Sequence, residues 1–420
     1  MFPPLRVLIV DDAVTYRRAA SAVLADLPGV EVVGAAANGK IALQRIEQLA
    51  PDLLLLDLEM PEIDGLELLR RLRAAGSDIG AIMLSAGSAH AAQATLEALE
   101  LGALDFVLKP SGGTIDENLG RLQKELRQKI DDYVRVRTIR QILRSGNSAG
   151  PGNNGRLERS VGSLLRAGVE VASGQLSIAR NPESIEACPA NVHAERPKGP
   201  AHPQDLRPTE SIGCVGSNKI ETPRSHGLGK PEVVALGIST GGPQALVQML
   251  PKLSSDFRVP VLIVQHMPPI FTRSLANDLD QRCALRVCEA AQGQRVLPGW
   301  IYIAPGGKQM KVSRDDGAVV IELTDDPPEN SCRPSVDYLF RSVAEVYRGK
   351  AVGVIMTGMG NDGTRGCRLL KQQGAPIVAQ DQATCVVFGM PKELVEQGIA
   401  DVVAPLDGIA AEITRLVGKG

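Results

Sequence analysis

The sequence predicts an α/β protein made of two doubly wound parallel-sheet domains joined by a long flexible linker. Three observations predict it. Short β-rich apolar runs alternate with helix-like segments from Arg6 to about Arg144, the same texture returns at Glu232 and continues to about Gly420, and the stretch between is rich in Gly, Pro, Ser and Asn. Regular alternation of strand and helix patterns implies parallel strands linked by crossover helices. A chain of 420 residues has room for two ordinary domains and a remainder. The expected boundaries are 1–130 for the first domain, with a helical extension to about 144, then 145–230 for the linker and 231–420 for the second domain.

The strands expected in the first domain are Val7 to Val10, Glu31 to Val33, Leu53 to Leu56, Ala81 to Leu84 and Phe106 to Leu108. Leu66, Leu69 and Leu72, and again Leu119, Leu122 and Leu126, recur at helical spacing and predict apolar stripes facing the sheet. The linker begins with the Gly- and Asn-rich run after Ser145 and ends with a Pro-, His- and Gly-rich stretch from Arg196 to Lys230. Within it, Leu157 to Ile178 has enough Leu and Val for a transient helix, but not for a core of its own. Cys188, His193, His202, Cys214 and His226 also lie there, at spacings that match no paired-ligand metal pattern. The second domain should contribute strands at Val233 to Ile238, Val261 to Val264, Ile301 to Ala304, Val352 to Met356 and Ile377 to Ala379.

Composition narrows the function. A formal net charge of -2 supplies no basic field, so the chain is not expected to bind nucleic acid. The seven cysteines form no regular framework, the first residues lack a signal-peptide apolar core, and no apolar run approaches the roughly 20 residues of a spanning helix. These features predict a cytoplasmic protein that is not inserted in a membrane.

Two groups of residues carry chemistry. Asp11, Asp12, Asp57, Ser85 and Lys109 all stand at carboxyl ends of expected strands, where open α/β sheets bind ligands. Three converging carboxylates repel one another unless a hard cation such as Mg²⁺ lies between them. In such an arrangement Asp57 is a nucleophile toward phosphorus, and Lys109 with Ser85 binds the phosphoryl oxygens. Any one of these aspartates alone would read as turn chemistry.

The second group starts at Gly237-Ile238-Ser239-Thr240-Gly241-Gly242, which follows a strand and precedes a helix-like stretch from Pro243 to Leu250, the context of a nucleophile elbow. Ser239 is the candidate nucleophile. His266, the one histidine after Glu232, ends another strand and is the candidate base. An ordinary imidazole is neutral above roughly pH 6.5, so activity should decline as pH falls through that region. Asp362, in the glycine-rich loop Thr357-Gly358-Met359-Gly360-Asn361-Asp362-Gly363, is the choice for orienting acid, with Asp381 and Asp401 as rivals. Ser335 is a rival hydroxyl that lacks flanking glycines and is expected to line or support the site. The order Ser, His, Asp differs from the orders of α/β-hydrolases, chymotrypsin and subtilisin. A phosphate-cradling loop is disfavoured, because neither the Walker nor the dinucleotide glycine pattern is present.

The first group, with Pro110 after Lys109, resembles the flavodoxin-like receiver domain of two-component response regulators. The motifs Gly-Ile-Ser-Thr-Gly-Gly-Pro, Gln-His-Met-Pro, Arg-Pro-Ser-Val-Asp and Thr-Gly-Met-Gly-Asn-Asp-Gly resemble the Ser-His-Asp catalytic domain of the chemotaxis protein-glutamate methylesterase family. The resemblance implies a phosphorylation-activated esterase that hydrolyses γ-methyl esters, and deamidates glutamines, on methyl-accepting chemotaxis receptors. It implies phosphorylation at Asp57 by a histidine kinase with Mg²⁺, and no cofactor in the catalytic domain. It implies Thr240 beside the nucleophile and the Met359 N–H near the oxyanion. It also implies that the unphosphorylated receiver restricts access to Ser239. Two other readings fit the residues: a binding-only response regulator, and a serine hydrolase acting on another ester or amide.

Overall fold

The computed structural model describes residues 3–110, 112–147 and 229–418. The expected linker therefore lies almost wholly outside the described residues, together with the five Cys and His positions named in it.

In the receiver part, β1 (Leu5–Val10), α1 (Val14–Ala25), β2 (Val30–Ala36), α2 (Gly39–Leu49), β3 (Leu53–Asp57), α3 (Gly65–Ala74), β4 (Gly80–Ser85), α4 (Ala89–Glu100), β5 (Asp105–Leu108) and α5 (Ile115–Asn147) follow in order. The sheet order is β2-β1-β3-β4-β5, all parallel. Side chains alternate between its faces with period two. Leu8, Val10, Leu54 and Leu56 join one apolar layer, and Val7, Ile9, Leu53 and Leu55 the other. Leu69 and Leu72 are buried against the first layer with Leu66 at its margin, and Leu122 and Leu126 against the second with Leu119 at its margin. Asn38, Asp64 and Ser88 accept from the third backbone N–H of α2, α3 and α4, which fixes where those helices start.

The catalytic part runs β6 (Val233–Ile238), α6 (Gly242–Met249), β7 (Val261–Gln265), α7 (Pro269–Arg282), β8 (Arg286–Glu289), β9 (Trp300–Ile303), β10 (Gln309–Asp315), β11 (Ala318–Thr324), α8 (Val336–Tyr347), β12 (Ala351–Ile355), α9 (Thr364–Gln372), β13 (Ile377–Gln380), α10 (Met390–Glu396), β14 (Val402–Ala404) and α11 (Ile409–Gly418). Seven strands form one parallel sheet in the order β14-β13-β12-β6-β7-β9-β8, and β10 and β11 form a separate antiparallel hairpin. Strand order reverses between β12 and β6, so the crevice at their carboxyl ends is the topological switch point.

Three elements exceed the sequence expectation of five strands. β8 and β14 are short edge strands with little apolar periodicity. The hairpin turns at Asp316-Gly317, both in the left-handed region at φ 45° and 80°, with Asp315 paired to Ala318. An Asp-Gly pair between β-rich runs is a strong hairpin signal, present in the sequence and passed over in the strand expectation. Among the described residues, no helix is long and apolar enough to cross a membrane.

The receiver and catalytic parts belong to one compact unit. Leu96 and Leu99 of α4, Leu246 of α6 and Phe271 and Leu275 of α7 lie in a single buried apolar cluster. Phe106 stacks on Phe271 with centroids 4.4 Å apart, and Arg282 of α7 pairs with Glu100 of α4 at 2.7 Å.

Candidate active site

Ser239 follows β6 at the switch point. Its N–H donates to Thr357 O at 3.0 Å, and His266 N–H donates to Ile238 O at 3.2 Å, so the strand ends carrying the three motifs are tied together by backbone bonds. Gly241 has φ 77°, which lets the chain turn sharply into α6 and leaves the Ser239 side chain at the outside of the turn. Gly358 sits so close to Ser239 that an added Cβ would lie 2.8 Å from Ser239 Cβ. A larger residue there would displace the serine.

Asp362 is buried and accepts six hydrogen bonds. Oδ1 receives Asn330 Nδ2 and Ser335 Oγ at 2.8 Å and the N–H groups of Asp337 and Gly363 at 3.1 Å. Oδ2 receives Val336 N–H at 2.7 Å and His266 Nε2 at 2.9 Å. Two of these donors are the first N–H groups of α8, an anion-favouring helix end. Burial alone would raise the Asp362 carboxyl, but His266 and the backbone donors outweigh it and hold the group below its usual range. Neither rival pairs with His266: Asp381 accepts from Thr384 in a local turn, and Asp401 binds Lys371.

Burial by itself would lower the His266 imidazolium. Asp362 opposes this, helped by Cys332, and the result is a group pushed up to about 9. This corrects the sequence expectation of titration near an ordinary value. The reason is the anchored carboxylate, whose charge no sequence spacing reveals.

Because Nε2 is held by Asp362, Nδ1 is the nitrogen left to face a reactant. Ser239 is half-buried and its hydroxyl makes no hydrogen bond among the described residues. An open serine hydroxyl is a common feature of unliganded hydrolases, in which catalytic bonds tighten on substrate binding. The N–H groups of Thr240 and Met359 likewise donate to no protein acceptor among the described residues, leaving both free for an oxyanion. The Thr240 hydroxyl points elsewhere: Oγ1 donates at 2.9 Å to Oδ2 of Asp105, on the receiver strand β5, and Lys129 Nζ meets the same oxygen at 2.8 Å.

Three residues went unassigned in the sequence reading. Gln265 is buried, and its Nε2 donates to Ser239 O at 3.0 Å and His266 O at 3.3 Å, linking the two motif backbones. Asn330 pins Asp362 from a turn, and Cys332 Sγ lies 3.7 Å from His266 Nδ1. Gln265 stood inside a quoted motif, yet its role depends on a cross-strand contact. Ser335 reaches Asp362 as a support.

In the receiver, Asp11 and Asp57 are buried and Asp12 is exposed. Lys109 Nζ lies 2.8 Å from Asp11 Oδ2 and 2.6 Å from Asp57 Oδ2. Burial pushes Asp57 up to about 6 against the pull of Lys109, and Asp11 adds to the rise. Although the ammonium is near, Asp11 Oδ2 has no aligned hydrogen bond, and oxygens of Asp11, Asp12 and Asp57 lie within 4.8 Å of one another. An all-oxygen set of three carboxylates, two of them buried, fits a hard divalent cation. The Ser85 hydroxyl is engaged locally: it donates to Ala86 O at 3.2 Å and accepts from Thr95 Oγ1 at 2.7 Å.

Comparison with known proteins adds the following. Residues 7–117 match the model of the response regulator receiver domain, and residues 234–413 that of the CheB methylesterase. A protein-glutamate methylesterase/protein-glutamine glutaminase of Desulfotalea psychrophila is 42% identical over 416 residues, covering 98% of each chain. One from Trichodesmium erythraeum is 39% identical over 416 residues, covering 99% of this chain and all of the relative. The crystal structure of the Thermotoga maritima CheB methylesterase catalytic domain is 44% identical, with a TM-score of 0.44, and covers 44% of this chain and 99% of that one.

Proposed function

Because this chain belongs to the protein-glutamate methylesterase/protein-glutamine glutaminase family, we propose that Ser239, His266 and Asp362 perform its chemistry and that Asp57 controls it. The enzyme is a phosphorylation-regulated hydrolase of glutamate γ-methyl esters, and of glutamine amides, on chemotaxis receptors in sensory adaptation. Ser239 Oγ attacks the γ-carbonyl carbon as His266 Nδ1 takes its proton. The N–H groups of Thr240 and Met359 stabilise the resulting oxyanion. His266 returns the proton to the leaving oxygen, methanol departs, and water then attacks the acyl-enzyme to leave a free glutamate. With an amide substrate ammonia departs instead. The observation that carries this reading is the buried Asp362–His266 pair beside Ser239 at the switch point.

Asp11, Asp12 and Asp57 would hold Mg²⁺ in the receiver. Bound there, the ion offsets negative charge as a phosphoryl group reaches Asp57. Asp57 accepts that group from a histidine kinase, and Lys109 and Ser85 bind its oxygens. In the resting chain the Thr240–Asp105 bond and the Phe106–Phe271 stack hold the receiver against the nucleophile's turn and restrict access. Domain borders near 130 and 231, with a linker over 145–230, and a cytoplasmic location complete the proposal; composition supports them. Methanol release from methylated receptor membranes tests the activity. A full-length chain that binds these membranes without releasing methanol, with or without a phosphodonor, would favour the binding-only alternative.

A further inference from the structure

The thiol beside the catalytic imidazole is rigidly placed. Glu329 and Cys332 exchange backbone hydrogen bonds of 3.1 and 2.9 Å around a two-residue turn in which Asn330 and Ser331 are left-handed, at φ 51° and 63°. Both ends of this turn are fixed. Arg341 binds the Glu329 carboxylate with two nitrogens at 3.0 and 2.9 Å, Gln309 Nε2 donates to Cys332 O at 3.3 Å, and Asn330 Nδ2 bonds Asp337 and Asp362. The half-buried Cys332 Sγ is thereby held 3.7 Å from His266 Nδ1.

We propose that His266 Nδ1 and Cys332 Sγ, backed by Asp362, form a binding site for a thiophilic divalent cation such as Zn²⁺, and that its occupation blocks the hydrolase. A tetrahedral zinc ion with Zn–S of about 2.3 Å and Zn–N of about 2.0 Å spans about 3.5 Å between sulfur and nitrogen, close to the separation already present. The imidazole is also oriented for ligation, since a histidine that binds metal through one nitrogen usually donates its other N–H to a carboxylate. Asp362 accepts from Nε2 in that manner, which directs the Nδ1 lone pair toward Cys332. On ligation the thiol proton, and any proton on Nδ1, leave to solvent, while Nε2–H stays on Asp362. The remaining coordination positions fall to water or to Ser239. Mg²⁺, a hard cation that prefers oxygen, should not compete.

The inhibitory part rests on His266 being the base of the proposed reaction, so the test reads binding and activity separately. Full-length protein freed of metal is titrated with cobalt chloride and watched for a thiolate-to-cobalt charge-transfer band, and zinc chloride is titrated into the methanol-release assay without phosphodonor. The wild type should give the band and lose activity. Cys332→Ser should lose the band and need at least about tenfold more zinc for equal inhibition. Cys332→His, which supplies an imidazole nitrogen suited to zinc, should recover zinc sensitivity. Zinc bound by the receiver's carboxylates is common to all three proteins and drops out of the comparison. Absence of the band in the wild type, or equal zinc sensitivity in wild type and Cys332→Ser, would overturn the site. A band and bound zinc with full activity would uphold the site and overturn His266 as base.

Discussion

Replacing Asp105 with Asn isolates the polar link between the receiver and the nucleophile's turn. The asparagine keeps one oxygen, which can accept from Phe106 N–H as Oδ1 does, and its amide nitrogen in the place of Oδ2 can donate to the Thr240 hydroxyl, so β5 should stay folded. What is lost is charge. A hydrogen bond to an ionised group contributes about 1.5–3 kcal/mol net and a neutral one about 0.5–1.5, a difference near 1 kcal/mol. Lys129 also loses its partner, but its side chain is 23% exposed and water can solvate it. A change of about 1 kcal/mol shifts the restricted-to-open equilibrium about fivefold, given tenfold per 1.4 kcal/mol. Methanol release without phosphodonor should therefore rise about fivefold. The rate with saturating small phosphodonor and Mg²⁺ should stay put, because the open form is untouched, and the stimulation ratio should fall by the same factor. An unchanged resting rate, or equal changes in resting and stimulated rates, would refute the idea that this contact restrains the hydrolase.

Ser239→Ala should lower hydrolysis by about 10⁴-fold or more with thermal unfolding unchanged, and adding His266→Ala should cost little further, since members of a triad act as a unit; additive losses would rule the triad out. In metal-free buffer the rate should climb with pH toward about 9, because only the neutral imidazole accepts the serine proton and its pKa is raised. A plateau already reached at neutral pH would mean that the Asp362 pair does not lift the base. Asp57→Asn should abolish stimulation by a small phosphodonor without lowering the resting rate, and retained stimulation would move the phosphorylation site elsewhere. Asp362→Asn should lower the unfolding temperature as well as the rate, because it turns an amide toward backbone N–H groups that now bind a carboxylate; unaltered stability would show that the six-donor cradle contributes nothing to folding.

The two sheets and the strand-end residues were legible because both signals are local. An apolar run followed by Asp, Ser, His or Gly announces a strand and its carboxyl end, and open α/β sheets gather such ends in one crevice. Ser239 and His266 stand out by that rule, whereas Asp362 is set above Asp381 and Asp401 only by its glycine-rich loop and the family motif. The supporting residues do not stand out. Gln265, Asn330 and Cys332 act through contacts 26, 32 and 66 residues away along the chain, and nothing in their neighbours' types points there. The shifted titration of His266 is illegible for the same reason: it reflects how fully Asp362 is anchored. β8 and β14 were missed because they are part-exposed edge strands without a sustained apolar run, unlike the equally short but buried β9 and β13.

In the proposed control by phosphorylation, the route from Asp57 to the interface would run through groups already committed to other partners. The buried Ser85 hydroxyl donates to Ala86 O, and the single Thr95 hydroxyl proton is shared between Ser85 Oγ at 2.7 Å and Ala91 O of α4 at 2.6 Å. Before Ser85 can donate to a phosphoryl oxygen it must give up Ala86 O, and turning toward Asp57 strains the bond that ties it to α4. That helix supplies Leu96, Leu99 and Glu100 to the side packed against α7. Lys109 sits just past the other end of β5 from Asp105, and in the resting state its ammonium divides between Asp11 and Asp57. A phosphoryl group would draw Lys109 and Ser85 toward itself, acting on β5 and α4 together, the two elements that carry the charged and aromatic contacts with the catalytic part. On that proposal no rearrangement of the hydrolase is needed: the change in its activity would follow from how tightly those two elements hold Thr240 and Phe271.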